Sequence, residues 1–541
     1  MRLFKKITAV AAAGLLMMFA SFDTAQAARV IKERILFIPH DCRPISCEQT
    51  AETLRQAGWE VIVPPEELLG SYNRLGNPEK VWEWLENNSR KANAAVISSD
   101  TMLYGSLVGS RKHSYSESQI MARVKRFAEF KSVNPQLDLY VFGSIMRTPR
   151  SGENSGSMEP GYYDSYGSDI FRYTALVDKE EIEGLTRREK KEHAFLQQLI
   201  PAAALDDWLS RRNKNFRASQ RLIDLVKNNV FEYLALGRDD NAPYSQTHME
   251  SRKLDEYGKA LGDTRFQTMA GIDEFAMLML TRAVNNINKD VPFVFVRYNW
   301  GRGEYTVPAY SDEPISKSIR DHIVAAGGIQ VIQPGKADLV LVVNTDPNGR
   351  TFEGGSYENV TKARPGTKYC ADIVSEYVAA GRPVGVADVS FANGSDNAFM
   401  EMLKNRGLLF KLRAYSGWNT ATNSTGFAIG QGMLTGRMSD AARDKLLLTR
   451  YLDDWAYQAN VRNVMARQLG WFRASGAYSA LNENREAVEE RTTKFMHRFV
   501  EENLPPFAEL RNLRIFFPWN RMFEAKYDLS EYSLIDKVRG R

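Results

Sequence analysis

The chain has 541 residues, 43% of them hydrophobic and 25% charged, with a formal charge of +5; this is enough apolar material for large cores and a length that calls for two or three domains. Lysines and arginines are mixed with acids throughout, which excludes the basic face or stripe that nucleic-acid binding requires. Cys42, Cys47 and Cys370 are too few for a disulfide scaffold, and the six histidines are scattered with no Cys-His cluster, which argues against a zinc site.

The amino terminus reads Met-Arg-Leu-Phe-Lys-Lys, then an apolar run from Ile7 to Ala20, then Ala25-Gln26-Ala27. A basic start, a short apolar stretch and an A-x-A site predict a secretory signal peptide over residues 1–27, cleaved before Ala28, and hence a secreted or periplasmic protein. Removing Arg2, Lys5, Lys6 and Asp23 lowers the formal charge by two, close to balance. No later run reaches transmembrane length, so no integral membrane segment is expected in the mature chain. Export permits one disulfide, and Cys42 and Cys47 are the nearest pair.

Arg34 to Pro39 is a predicted strand ending in the polar turn His40-Asp41-Cys42-Arg43-Pro44, with a helix up to Ala57 closed by Gly58. Glu60 to Val63 is a second strand, followed by a helix near Glu79 to Asn88. A third strand, Ala94 to Ser98, runs into SSDTMLYGSLVGSR, which carries Asp100, Tyr104, Gly105 and Arg111. Leu137 to Phe142 ends in GSIMRTPR with Arg147 and Arg150. Strand, polar turn and helix in repetition imply right-handed βαβ units and a parallel sheet. An insertion over 151–230 follows. Its first part, Ser151 to Tyr173, is rich in Gly, Ser and Tyr, and is expected as a mobile flap whose Tyr162, Tyr163 and Tyr166 stack on a planar ligand face, or else as an exposed insertion. Glu180 to Asn228 reads as amphipathic helices broken at Pro201.

Phe231 to Leu236 is an apolar and aromatic run that stops at Gly237-Arg238-Asp239-Asp240-Asn241. In parallel α/β folds ligands sit at the carboxyl ends of strands, so adjacent carboxylates beside an arginine there are a candidate catalytic or metal-binding pair. The competing reading is a turn with one Asp capping a helix over His248 to Leu261. Arg265 to Met269 leads into AGIDEFAMLMLTRAV, where Asp273 and Glu274 complement a helix dipole, serve the site, or divide the two roles. Past a boundary near Asp290 to Pro292 the alternation restarts. Phe293 to Arg297 ends in RYNWGRGEY with Asn299, a helix spans Ile315 to Ala326, and Ile329 to Ile332 and Asp338 to Val343 follow as strands. Val384 to Asp388 ends in ADVSFANGSD, which groups Asp388, Asn393 and Asp396 in one turn. Leu409 to Ala414 ends in AYSGWNTATNSTG, where Trp418 beside Asn419, Thr420 and Asn423 reads as a carbohydrate platform or as a ring buried over a turn. A glycine-spaced apolar segment, Gly426 to Gly436, comes next. Beyond Asp440 helices are expected, with breaks at Gly470-Trp471 and Gly476, a last helix near Glu486 to Glu502, and an apolar clamp, Ile515 to Trp519, without chemistry of its own.

The blocks D-x-R-P after the first strand, SSDTMLYGSLVGSR, GRDDNAPYS, G-x-D-E before an apolar helix, D-x-x-x-A-N-G-x-D and AYSGWNT-x-x-N-x-x-G resemble the signature blocks of the bacterial domain-of-unknown-function family 4127, over roughly Ile35 to Gly436. His40 before Asp41 and the cysteines flanking Arg43 depart from that pattern without breaking a block. The resemblance implies that these turns form one site and brings no activity with it.

The expected fold is α/β: parallel βα units in two doubly wound domains, 28–290 and 291–438, with facing carboxyl edges, plus a helical carboxyl-terminal region over 439–541. An elaborated eight-stranded barrel is the alternative. The expected function is a glycoside-hydrolase-like activity on an envelope or extracellular glycan, with Asp239, Asp240 and Asp100 as catalytic carboxyls. Substrate contacts are expected from Asp41, Arg43, Arg147, Arg238, Asp273, Glu274, Asn299, Asp388, Asn393, Asp396, Trp418 and Asn419. No cofactor is expected, unless Asp41, Asp100, Asp239, Asp388 and Asp396 hold a divalent ion for phosphate or ester hydrolysis. A third reading is an exported protein that closes on a small-molecule or glycan ligand without chemistry.

Overall fold

Strands that are apolar along their whole length belong in sheets covered on both faces, and the computed structural model, which describes residues 33–152, 158–468, 480–508, 510, 512–530 and 532, has two such sheets. The expected signal segment and the breaks at Gly470-Trp471 and Gly476 lie outside the described residues. The first sheet contains β1 (Arg34–Ile38), β2 (Glu60–Ile62), β3 (Ala94–Ser98), β4 (Asp138–Ile145), β5 (Tyr233–Arg238) and β6 (Phe266–Ala270), all parallel, in the order β2-β1-β3-β4-β5-β6. After Asp290 come β7 (Phe293–Tyr298), β8 (Ile329–Val331), β9 (Leu339–Asn344), β10 (Phe352–Glu353), β11 (Val384–Asp388), β12 (Phe391–Ala392) and β13 (Ala414–Ser416). Five of these form a second parallel sheet, β13-β11-β9-β7-β8, while the short β10 and β12 pair with each other. Neither sheet closes into a barrel. A small antiparallel pair, β14 (Ile515–Phe516) and β15 (Lys526–Tyr527), ends the fold.

The space between the two sheets is filled by four helices. Ile35, Phe37 and Val96 of the first sheet and Leu339, Leu341 and Val343 of the second share one apolar core with helices Glu48–Gln56, Phe275–Asn288, Ile315–Ala325 and Ala421–Leu434. Alternate residues of the same strands point the other way. Leu36, Ile97 and Val141 meet Trp82, Phe127 and Leu222 outside the first sheet, and Val340, Val342 and Val386 meet Cys370, Phe399 and Leu447 outside the second. Every residue of Ala421–Leu434 is buried, including the polar Thr422, Asn423, Ser424, Thr425 and Gln431. Its glycines let it approach Phe275–Asn288: a Cβ at Gly426 would lie 2.3 Å from Glu274 Cγ, and one at Gly430 would lie 2.7 Å from Met277 Cγ.

Three local expectations are corrected. Tyr162, Tyr163 and Tyr166 do not sit on a mobile flap. They open helix Tyr163–Ile182, where the buried Tyr163 stacks on Trp208 at 4.9 Å and Tyr162 Oη donates to Asp207 at 2.7 Å; residues 153–157 of that stretch lie outside the described set. Leu409 to Ala414 is not one strand: Leu409–Lys411 is a 3-10 turn and pairing begins only at Ala414. The cysteines are all free, and Cys42 Sγ accepts the indole N–H of Trp519 at 3.3 Å in place of a bridge to Cys47. Among the described residues no helix is long and apolar enough to cross a membrane.

The helix pair between the sheets gives a direct test. Gly430→Ala should destabilise the protein by about 1–3 kcal/mol through overpacking against Met277, whereas Gly436→Ala, whose Cβ would meet nothing within 4 Å, should leave thermal denaturation unchanged. Identical melting of the two variants would mean that this contact relaxes freely.

Candidate functional site

In-register pairing sets the strand ends level: Ile145 lies opposite Arg238, and Arg238 opposite Ala270. The turns that follow β4, β5 and β6 therefore emerge side by side, bringing Arg147, Asp239, Asp240 and Asp273 to one edge. Turns of the second sheet bring Tyr310, Glu353, Asn393 and Asn419 to the same place, and together these residues line a cavity of about 710 Å³.

Its acids are held by arginines. Arg111 Nη2 donates to Asp239 Oδ2 and Arg147 Nη1 to Asp240 Oδ2, each at 2.6 Å. Behind them the buried Glu159 accepts from Arg147 Nε at 2.6 Å and from Arg111 Nη1 at 3.4 Å, so one carboxylate anchors both guanidinium groups. Asp240 adopts a left-handed backbone (φ 42°), and Asn241 ties the turn to the second sheet through Asp312 at 2.7 Å. Burial, and then the neighbouring Asp240, push the Asp239 carboxyl up to about 7 against the pull of Arg111 and Arg147. Its side chain is 18% exposed and that of Asp240 30%.

A second group lines the same cavity. Arg43 donates to Asp41 Oδ2 at 2.9 Å and to both oxygens of Asp273, at 2.5 and 3.3 Å. Asn419 Nδ2 reaches Asp273 from the second sheet at 3.2 Å. Burial would raise the Asp273 carboxyl, but Arg43 and His40 outweigh it and hold the group well below the usual carboxylate range. His40 is wholly buried with Nε2 3.2 Å from Asp273 Oδ1. Burial alone would strip its proton, yet Asp41 and Asp273 prevail and raise its proton affinity.

The carboxyl-terminal segment forms the third wall. Trp519 lies between the guanidinium groups of Arg43 and Arg521, 5.2 Å from each, and Phe523 lies under Arg462 at 5.1 Å. The segment around Ile515 to Trp519 packs on the body as an apolar clamp and, with Arg521 and Phe523, also lines the cavity. Arg111, Glu159, Tyr310, Glu353, Arg462, Asn463, Trp519, Arg521 and Phe523 were not singled out as site residues from the sequence. Arg111 stood in a quoted turn and Arg521 stands among aromatics; Arg462, inside a helix, carries no signal.

Of the residues expected at the site, Asp41, Arg43, Arg147, Asp239, Asp240, Asp273, Asn393 and Asn419 line the cavity. The others do not. Asp100 is 1% exposed and accepts the Ser144 backbone N–H at 2.9 Å. Arg238 is occupied by Asp312 and Glu313, at 3.2 and 2.5 Å, as a clamp between the sheets. Glu274 is buried against the Ile272 backbone N–H and His322. Asn299 bonds Thr345 and the Trp300 N–H. Asp388 accepts from Tyr415 Oη and the Asp396 N–H, each at 2.8 Å, while Asp396 caps helix Asn397–Asn405 and pairs with Arg364. Trp418 is 2% exposed, packed by Phe427 and Phe523, so it offers no face to a sugar. Of the five acids offered as ligands of a divalent ion, Asp388 and Asp396 share one hydrogen-bonded group and Asp41, Asp100 and Asp239 belong to others, and among the described residues no three His, Cys, Asp or Glu side chains gather as a metal site.

Burial also pushes the Asp100 carboxyl up, to about 7, and its hydrogen bonds to Ser144 offset this only in part. Between about pH 4 and pH 7 the folded chain then holds a proton that the unfolded chain has released, so this group makes stability fall as pH rises through that window. Asp100→Asn keeps an acceptor for Ser144 and removes the ionisation. Denaturant titration should find the variant gaining on the wild type from pH 4 to pH 8, by up to about 4 kcal/mol at roughly 1.4 kcal/mol per pH unit; parallel pH profiles would refute the assignment.

No curated protein matches the chain. The model of the family described as protein of unknown function (DUF4127) matches residues 35–528, nearly the whole sequence, and the chain belongs to that family.

Proposed function

We propose that the chain is an exported hydrolase of the glycoside-hydrolase type, acting on a glycan within this cavity. The observation that supports it most directly is the Asp239-Asp240 pair, adjacent acids on the cavity wall of which the first keeps its proton up to about pH 7. Glycoside cleavage needs a carboxyl that can protonate the leaving oxygen near neutral pH and a second carboxyl to steady the attacking group. Asp239 serves as the acid. Its Oδ2 is taken by Arg111, which leaves Oδ1 for the proton and stabilises the carboxylate once the proton has gone to the leaving oxygen. Asp240, fixed by Arg147 through Oδ2, orients the group that attacks the anomeric carbon. Asn393 and Asn419 supply amides for sugar hydroxyls, and the half-exposed ring of Tyr310 stands at the rim. Export rests on the basic start, apolar run and A-x-A site of the first 27 residues.

A screen of the protein, without residues 1–27, against chromogenic glycosides and envelope glycans tests this reading. Asp239→Asn should lower kcat by about 10²–10⁴-fold, and wild-type turnover should decline as pH rises through about 7, where Asp239 loses its proton. Turnover that persists in the Asp239→Asn, Asp240→Asn double variant would remove the pair from the mechanism. Activity lost in chelator and restored by one metal would favour a metal-dependent ester or phosphate hydrolase, and a ligand bound tightly but returned unchanged would favour a binding protein.

A further inference from the structure

Five arginines line the cavity, and four are matched by carboxylates. Arg43 pairs with Asp41 and Asp273, Arg111 with Asp239 and Glu159, Arg147 with Asp240 and Glu159, and Arg521 with Glu524. Arg462 is the exception. It is 6% exposed, and among the described residues it has no ion pair and its Nε and Nη1 have no hydrogen-bond partner. Arg450 takes up Asp453 and Asp454 of the preceding turns, and Glu353, the lining carboxylate outside these pairs, is exposed and accepts from Tyr310 Oη and Asn393 Nδ2. A guanidinium does not deprotonate in proteins, and an uncompensated buried charge is strongly unfavourable. The Phe523 ring at 5.1 Å orients it without neutralising it.

We infer that Arg462 is an anion subsite of the cavity and that the ligand is a sugar acid, its carboxylate received by Arg462. This deepens the proposed function and rests on its premise that the cavity takes a glycan. A second unsatisfied group favours a sugar acid over a simple anion. Asn393 Oδ1, also on the cavity wall, is buried without a partner while its Nδ2 donates to Glu353 Oε2 at 2.9 Å. That fixes the amide with an acceptor free for a donor, which a sugar hydroxyl supplies and an anion without an O–H does not. The planar donor fork of arginine suits a carboxylate held by two parallel bonds. The subsite was assembled late in the chain: helix Arg462–Gln468 continues from a π-helical stretch, Tyr451–Val461, whose wide turns pack beneath the loops of the second sheet, with Ser395 N–H bonded to Asp454 O and Gly417 N–H to Asp454 Oδ2. Such π segments recur where a helix must turn a particular side chain towards a site.

Titration calorimetry with glucuronate, glucose, glucose 6-phosphate and inorganic phosphate tests the inference on the wild type and on Arg462→Gln and Arg462→Lys. The wild type should bind glucuronate at least ~10-fold more tightly than glucose. Arg462→Gln should lose that preference, and Arg462→Lys should recover part of it. Equal affinity of wild type and Arg462→Gln for glucuronate, or no measurable binding of glucuronate by the wild type, overturns the subsite; phosphate bound as tightly as glucuronate would reduce it to a general anion site and overturn the sugar-acid assignment. The outcomes separate from those of the hydrolase reading, because Asp239→Asn should retain glucuronate binding. Arg462-dependent binding without turnover by the wild type removes the hydrolase and leaves the subsite, and turnover together with equal glucuronate binding by Arg462→Gln does the reverse.

Discussion

Charge held inside the junction of two sheets is the constraint on which the rest of this structure depends. Arg43 joins the end of β1 to the turn after β6, Arg238 at the end of β5 reaches Asp312 and Glu313 beyond β7, and Arg111 and Arg147 converge on the hidden Glu159. None of these ions can be exchanged singly, because removing one partner of a buried pair strands the other at a penalty of about 3–5 kcal/mol. Arg238 thus ties the first sheet to the second, while the other pairs fix the first sheet's turns where they shape the cavity. The apolar helices between them, close-packed through Gly426 and Gly430, hold the same relation from behind.

The two sheets share a plan. Numbered from its own first strand, each is ordered 2-1-3-4-5, with β6 added to the far edge of the first. In that order the chain changes direction between the first and third strands, which opens a crevice at their carboxyl ends. In the first sheet the crevice lies between the turn bearing Asp41 and Arg43 and the one bearing Arg111, all three on the cavity wall. In the second, Tyr310 follows the first strand and Glu353 the third. The cavity is where two switch points meet, and this accounts for its polar residues coming from turns hundreds of positions apart.

The strands were legible because parallel strands buried on both faces must be apolar throughout, so RILFI and AAVIS declare themselves without help from their surroundings. Which strand-end acids would face the cavity was legible only in part. Asp239 and Asp396 both follow strands and precede helices; the second spends Oδ1 on the N–H groups of Ala398 and Phe399 and Oδ2 on Arg364, whereas in the turn after β5 the helix is capped by Ser245, which frees Asp239. A capping serine six residues downstream of Asp239 is a weak signal beside the acids themselves. For Trp418 the sequence left two roles open, and only the fold decides for the ring enclosed by Phe427 and Phe523; Trp519 is packed on the body as its apolar segment suggested, but the guanidinium groups of Arg43 and Arg521 over its ring left no signal. The π-helical stretch before Arg462 left no trace, since its positions are apolar and polar in no helical rhythm and its geometry answers to the loops it supports.

The electrostatics of the cavity tie the two proposals together. With Asp239 protonated and Arg462 unmatched, the lining carries more positive than negative charge, which draws an anionic ligand inward. A bound carboxylate would then act on Asp239 as Asp240 already does, as a like charge in a poorly solvated space, and would strengthen its hold on the proton. Under this reading a sugar acid prepares its own general acid: the charge that secures the substrate also helps to keep the proton on Asp239 until the leaving oxygen takes it. A neutral sugar of the same shape would enter a site whose acid ionises at lower pH, so discrimination between the two would appear in turnover at alkaline pH more than in turnover at acidic pH.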